Sequence, residues 1–128
     1  MKKVVAAIIK DKNQVLIAKR HSKDPLAGKW EFPGGKLEPG ETPKEGLVRE
    51  IREELTLEIE VGDFYDDNIY GSEDQAIHLL FYWAQVANGE AVPVVHDEIK
   101  WITPTDLKKV DFAPADIPIA KRLEIENI

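Results

Sequence analysis

The sequence predicts an α/β chain of the α+β kind, with strands and inserted helices packed as a layered sandwich. Three observations lead there. Runs of strand length recur at Val4–Lys10, Gln14–Arg20 and Ala76–Ala87, the last rich in aromatic and aliphatic residues. A strong helix start stands at Thr42-Pro43-Lys44-Glu45. Thr sits at the N-cap, Pro at the first helical position and Glu three residues after the cap. A second helical segment, Pro114–Ile125, carries Ile119 and Leu123 on one face.

Taken in order, Val4–Lys10 and Gln14–Arg20 form a strand pair joined by the turn Asp11-Lys12-Asn13. His21–Lys29 reads as a loop, and Trp30–Phe32 as a short strand ended by Pro33. The first helix is expected over Pro43–Leu55. Leu57–Tyr65 and Ala76–Ala87 read as strands, Glu98–Ile102 as another short one, and the helix over Pro114–Ile125 follows.

A chain of 128 residues is expected to form one domain over 1–128, long enough to bury a substantial core. With no cysteine, disulfides, thiolate metal sites and thiol catalysis are excluded. No apolar run reaches membrane-spanning length, and MKKVVAAIIKDK lacks a signal-peptide pattern, so a cytoplasmic location without membrane partners is expected. The net charge of −7 argues against binding a nucleic-acid polymer. It leaves a nucleotide substrate open, because bound metal overrides the average charge.

The chemistry concentrates between Gly34 and Leu57. Helical residues advance about 100° each, which gathers Glu50, Glu53 and Glu54 on one face and puts Leu47, Ile51 and Leu55 opposite. Like charges so placed repel. Hard divalent cations prefer carboxylate oxygen and resolve that repulsion.

This segment resembles the signature of the Nudix hydrolase family, G-x5-E-x7-R-E-U-x-E-E-x-G-U, with U aliphatic. Here it reads Gly35, Glu41, Arg49, Glu50, Ile51, Glu53, Glu54, Thr56 and Leu57, so eight of nine specified positions match. The resemblance implies the Nudix fold, a mixed sheet between helices with the signature as a loop-helix-loop. It also implies that Glu50, Glu53, Glu54 and the Gly34 carbonyl hold Mg2+, with Mn2+ as a substitute. Arg49 would orient a catalytic glutamate, with Glu41 in support.

Trp30-Glu31-Phe32-Pro33-Gly34-Gly35-Lys36, Gly40-Glu41-Thr42-Pro43 and Ala113-Pro114-Ala115-Asp116-Ile117-Pro118 look like the MutT branch of that family. The likeness implies a nucleoside triphosphate pyrophosphohydrolase that clears damaged or unwanted nucleotides. It places Glu31, Phe32, Pro33 and Gly34 in the substrate site and Arg20 on phosphate. Asp116 matches a position that reads the base. An ionised aspartate only accepts hydrogen bonds, which suits an amine such as cytosine N4 or the N1–H and N2–H2 edge of guanine. The Pro-Ala-Asp-Ile-Pro run looks more like cytidine-type members, acting on CTP, dCTP and 5-substituted forms. An 8-oxo-dGTP pyrophosphohydrolase is the alternative with the same mechanism, and a sugar nucleotide or dinucleoside polyphosphate is a third substrate class. A nucleotide-binding module without catalysis is the alternative of another kind, although such modules lose signature glutamates and this chain keeps them. As a plain aspartate before an apolar helix, Asp116 also reads as a cap.

Two departures stand out. Thr56 replaces the glycine that closes the signature helix. Val95 occupies the place, six residues before Trp101, where relatives carry a metal-binding or basic glutamate. Glu98 is the preferred substitute as general base, with Asp97, or Glu53 alone, as alternatives. His96 is expected to be a solvated loop residue. Monomer and homodimer remain open.

Overall fold

The computed structural model describes residues 1–126. It contains strands β1 (Lys2–Asp11), β2 (Gln14–Lys19), β3 (Trp30–Glu31), β4 (Gly34–Lys36), β5 (Glu58–Tyr70), β6 (Ile77–Asn88) and β7 (Glu98–Ile102). Helix α1 spans Pro43–Leu55 and α2 spans Ile117–Glu126, with 3-10 turns at Pro104–Lys109 and Pro114–Asp116. The strands form one mixed sheet in the order β3-β2-β1-β6-β5, with β4 added on β1 and β7 on β2.

β1 is the central strand. It runs parallel to β6 from Lys2 opposite Ile77 to Ile9 opposite Ala84. Its first half pairs antiparallel with β4, and its last residues pair with β2. Both faces of β1 are covered, which is why it reads as the continuous apolar run Val4–Ile9 rather than an alternation. The strand period of two divides that run between layers. Ala6 and Ile8 join Ile119 and Leu123 of α2, while Val5, Ala7 and Ile9 join Leu47, Ile51 and Leu55 of α1. The sandwich of helix, mixed sheet and helix follows, as expected.

Several elements differ from the sequence reading. β5 continues to Tyr70, past the expected end at Tyr65, because β6 supplies pairing partners as far as Ile77 once register shifts near Val61–Asp66 are absorbed. Gly34–Lys36 is a strand rather than a lead-in loop, since Val4–Ala6 offers it an edge. The turn at Pro104–Lys109 was not foreseen. It buries Pro104 and Leu107, too few residues to register as a period. The last helix starts at Ile117, after the 3-10 turn that holds Asp116. No helix among the described residues is long and apolar enough to cross a membrane.

Thr56 keeps the left-handed conformation of the glycine it replaces, with φ 53° and ψ 32°, and its N–H donates to the Arg52 carbonyl. The side chain partly offsets the strain: its hydroxyl donates to the Leu55 carbonyl at 2.7 Å. A β-branched residue in this conformation costs on the order of 1–2 kcal/mol. Thr56→Gly is therefore expected to stabilise the protein by about 1 kcal/mol. Chemical denaturation checks this, and a lowered midpoint would mean that the hydroxyl outweighs the strain.

Candidate active site

The helix that carries the acids is fixed at its first turn. The Thr42 hydroxyl accepts the Glu45 N–H at 3.2 Å, and the Glu45 carboxylate accepts the Thr42 N–H at 2.9 Å. This capping box sets the phase of α1 and so the faces of its side chains. Leu47, Ile51 and Leu55 are fully buried against the sheet. Glu50 and Glu54 flank that apolar face, with side chains 14% and 16% exposed, whereas Glu53 is 58% exposed.

β4 lies beside them and requires glycine for contact reasons. A Cβ on Gly34 would overlap the Val5 carbonyl, and one on Gly35 would overlap the Glu50 carboxylate. Neither has positive φ, so close approach rather than backbone freedom explains the pair.

Arg49 ties the segment together. Its guanidinium grips Glu41 with two hydrogen bonds of 2.6 and 2.9 Å, reaches Glu50 at 3.1 Å and Glu53 at 3.3 Å, and donates to the Lys36 carbonyl at 3.1 Å. The Glu38 N–H donates to Glu41 as well. These donors, Arg49 first, hold the Glu41 carboxyl down at about 2.

Glu54 is pushed the other way, up to about 9, first by burial and then by Glu50, Glu31 and Glu53. Among the described residues, no three acids or histidines already close around one point as a ready metal cage. The donor set still fits a hard cation. Magnesium needs only one or two carboxylates beside water and phosphate oxygens, and the crowded Glu50–Glu54 pair has an excess of negative charge to share.

A cleft of about 630 Å3 opens in front of Glu54. Of the residues predicted for the site, Arg20, Glu31, Phe32, Gly34, Glu54 and Asp116 line it. A smaller cleft of about 280 Å3 over β5 and β6 shares none of these residues. Arg20 donates to Glu31 at 2.6 Å and pairs through two nitrogens with Asp24 at 2.9 and 2.7 Å, so its guanidinium is engaged by two acids. Asp116 is 4% exposed. Burial holds its carboxyl well above the ordinary range, and Glu31 adds to this, while Arg20 and the Phe32 N–H oppose it. The backbone group it meets thus belongs to β3's neighbour and not to α2.

Other predicted residues lie elsewhere. Pro33 uses its carbonyl to accept the Ala7 N–H at 2.8 Å and does not line the cleft. Glu98 is corrected: it starts β7 opposite Lys19, exposed and outside the cleft, because strand pairing with β2 fixes its position. Asp97, 38% exposed, faces His21 at 3.9 Å. His96 is the residue that the sequence reading misjudged. It is buried, with Nε2 2.9 Å from Glu31 and 3.9 Å from Glu54. The Val94 N–H donates to the Glu54 carbonyl and the Val92 N–H to the Leu55 carbonyl. This loop thereby satisfies the open carbonyls at the end of α1 and delivers His96 to the acids. Val92, Val94 and Val95 stay about half exposed, so no buried apolar pattern in this loop signals its docking. Tyr70, Ile77 and Leu26, also unforeseen, add an apolar wall to the cleft.

A NUDIX domain model matches residues 1–123. The chain belongs to the NUDIX family. It is 38% identical over 119 residues to the CTP pyrophosphohydrolase of Escherichia coli (strain K12), covering 93% of this chain and 88% of that protein. It is 32% identical over 120 residues to the 8-oxo-dGTP diphosphatase of the same organism, covering 94% and 93%. The crystal structure of MutT protein from Methanosarcina mazei Go1 superposes with a TM-score of 0.84 at 25% identity, covering 98% of this chain and 94% of that one. The family assignment makes this chain a Nudix hydrolase, with the fold and signature helix that the residues predicted.

The Glu41–Arg49 pair has a pH signature. A carboxyl depressed in the folded state stabilises the fold above its unfolded value near 4.5 and loses that contribution as pH falls towards about 2. Glu41→Gln is expected to melt below the wild type at pH 7, with the gap closing as the pH drops below about 4.5. A gap that stays constant from pH 7 to pH 3 would show that the charge of Glu41 contributes nothing.

Proposed function

We propose that this Nudix hydrolase acts as one domain, as a magnesium-dependent nucleoside triphosphate pyrophosphohydrolase that releases a nucleoside monophosphate and pyrophosphate. The proposed substrates are (d)CTP and modified cytidine nucleotides, and the proposed role is cleansing of the nucleotide pool, in the cytoplasm. One observation carries the reading: a single cleft is lined by Glu54 of α1 and by the buried Asp116, the candidate for base recognition. The similarity to a CTP pyrophosphohydrolase supports the cytidine assignment.

Glu50, Glu54, Glu53 and the Gly34 carbonyl are the groups assigned to hold the metal. Bound there, a divalent ion supplies charge neutralisation at the phosphates and a more acidic water. The chain's own residues do the rest. Glu53, exposed and bonded to Arg49, is the proposed acceptor of a proton from the attacking water. Arg49 restricts where that carboxylate can go, and Glu41 restricts Arg49. Phe32 and the apolar wall exclude water from the nucleoside.

The second reading, 8-oxo-dGTP hydrolysis, draws on Asp116 itself. Burial favours its neutral form, and a neutral carboxyl donates and accepts as an amide does. The accept-only argument for an amine-bearing base therefore weakens. The deciding experiment is a turnover screen of normal, oxidised and methylated nucleoside triphosphates with product identification. Preference for cytidine forms supports the first reading, and preference for oxidised guanine replaces it with the second. Orthophosphate with a nucleoside diphosphate as products would overturn both.

Removal of divalent metal with EDTA should abolish turnover, and magnesium or manganese should restore it. Glu53→Gln and Glu54→Gln should each lower kcat by at least about a hundredfold, roughly 3 kcal/mol of barrier, with circular dichroism unchanged. Near-normal kcat in both variants would reduce the acid face to a solvated helix surface.

Asp116 yields a separate test. If it reads the base as a neutral acid, Asp116→Asn should retain most of kcat/KM, whereas Asp116→Ala should lose roughly tenfold or more. The ratio of cytosine to uracil substrates should change in the alanine variant. A fixed ratio, with only the melting temperature lowered, would leave Asp116 a purely structural residue.

A further inference from the structure

His96 has no part in the roles assigned so far, yet it is placed between two of them. Its side chain is 4% exposed, at the seam between β3 and the end of α1. Nε2 faces carboxylate oxygens of both Glu31, at 2.9 Å, and Glu54, at 3.9 Å. With acceptors on that side, Nε2 carries the hydrogen and donates it to Glu31, while the Glu54 oxygen lies beyond hydrogen-bond length. Nδ1 is buried and has no partner among the described residues. A buried polar atom left unsatisfied costs stability, so a ring kept only for packing is poorly explained.

The effect falls on Glu31. Its Oε1 accepts from Arg20 at 2.6 Å and its Oε2 from His96 at 2.9 Å. Held at both oxygens, the carboxylate cannot turn. It is fixed between the charge fields of Asp116 and Glu54, both of which it raises. Glu31 lines the cleft, so its orientation is part of the wall that a substrate meets.

We propose that His96 is a positioning residue for substrate binding: its Nε2–H fixes the Glu31 carboxylate within the cleft, at a set distance from the acid helix. This rests on the cleft being the nucleoside triphosphate site.

Two amide substitutions separate reach from bulk. In His96→Gln the amide nitrogen reaches about as far as Nε2, whereas in His96→Asn it reaches only about as far as Nδ1. With the best triphosphate from the screen, His96→Asn should raise KM about tenfold or more with kcat within about threefold of the wild type. His96→Gln should bring KM back to within about threefold of the wild type. Melting temperatures of the two variants should agree, since both bury an amide. In a Glu31→Ala background, which should itself raise KM, His96→Asn should add little, the mark of a shared interaction. An active wild type with equal KM in the two amide variants overturns this inference alone. So does a fall in kcat at unchanged KM, which would assign His96 to Glu54. An unchanged KM in Glu31→Ala overturns it even if His96→Asn does not fold. A wild type that turns over no nucleoside triphosphate overturns the proposed function, and this inference with it.

Discussion

Arg49 supplies the cation on which the arrangement of the acidic helix depends. Three carboxylates on neighbouring turns repel, and the strain grows as they are buried. One guanidinium answers four acids: Glu41 with two parallel bonds, Glu50 and Glu53 with one each, and Glu38 at 3.5 Å. Its remaining contact, to the Lys36 carbonyl, fastens the helix to the end of β4. A lysine could not do this, because the planar fork is what allows a bidentate grip on one acid and reach to others. The position of Glu41 is itself prepared. The Glu38 N–H donates to it, and Gly46 leaves space where a Cβ would approach its carboxylate to 3.0 Å.

The sheet sets the distances that this cluster needs. β1 contacts both layers, so α1 and α2 are held at fixed depths on opposite faces. β4 brings Gly35 beneath Glu50, and β3 brings Glu31 and Phe32 towards Asp116. The loop before β7 closes the arrangement by bonding to the last carbonyls of α1. The cleft is therefore assembled from segments scattered along the chain, from β1 to the turn before α2, of which only the signature helix follows from local spacing.

That difference governs what could be read from sequence. The helix was legible to the residue because its cap, its apolar face and its acids all follow from local spacing, and Pro43–Leu55 is where it lies. β1 and β2 were legible as apolar runs. The end of β5 was not, because pairing partners rather than its own residues decide it. Glu98 and His96 show the same limit at the site. Counting from Trp101 could say that an acid was missing at Val95, but not that strand pairing would hold Glu98 outside the cleft while carbonyls of α1 drew His96 inside. Asp116 lines the cleft, and the burial that pushes its carboxyl above the ordinary range is invisible in the run Pro114–Pro118.

Two buried acids with raised titration end up with different chemistry. Glu54 is raised by burial together with three fellow carboxylates, Glu50, Glu31 and Glu53. A positive charge among them would offset the repulsion between carboxylates but not the burial, which is the larger cause. Asp116 is raised chiefly by burial, and Arg20, its nearest compensating charge, is already engaged by Glu31 and Asp24. Burial at that end of the cleft favours the neutral form of the acid. The two carboxyls thus line one cleft under different electrostatics, Glu54 among like charges and Asp116 chiefly under burial.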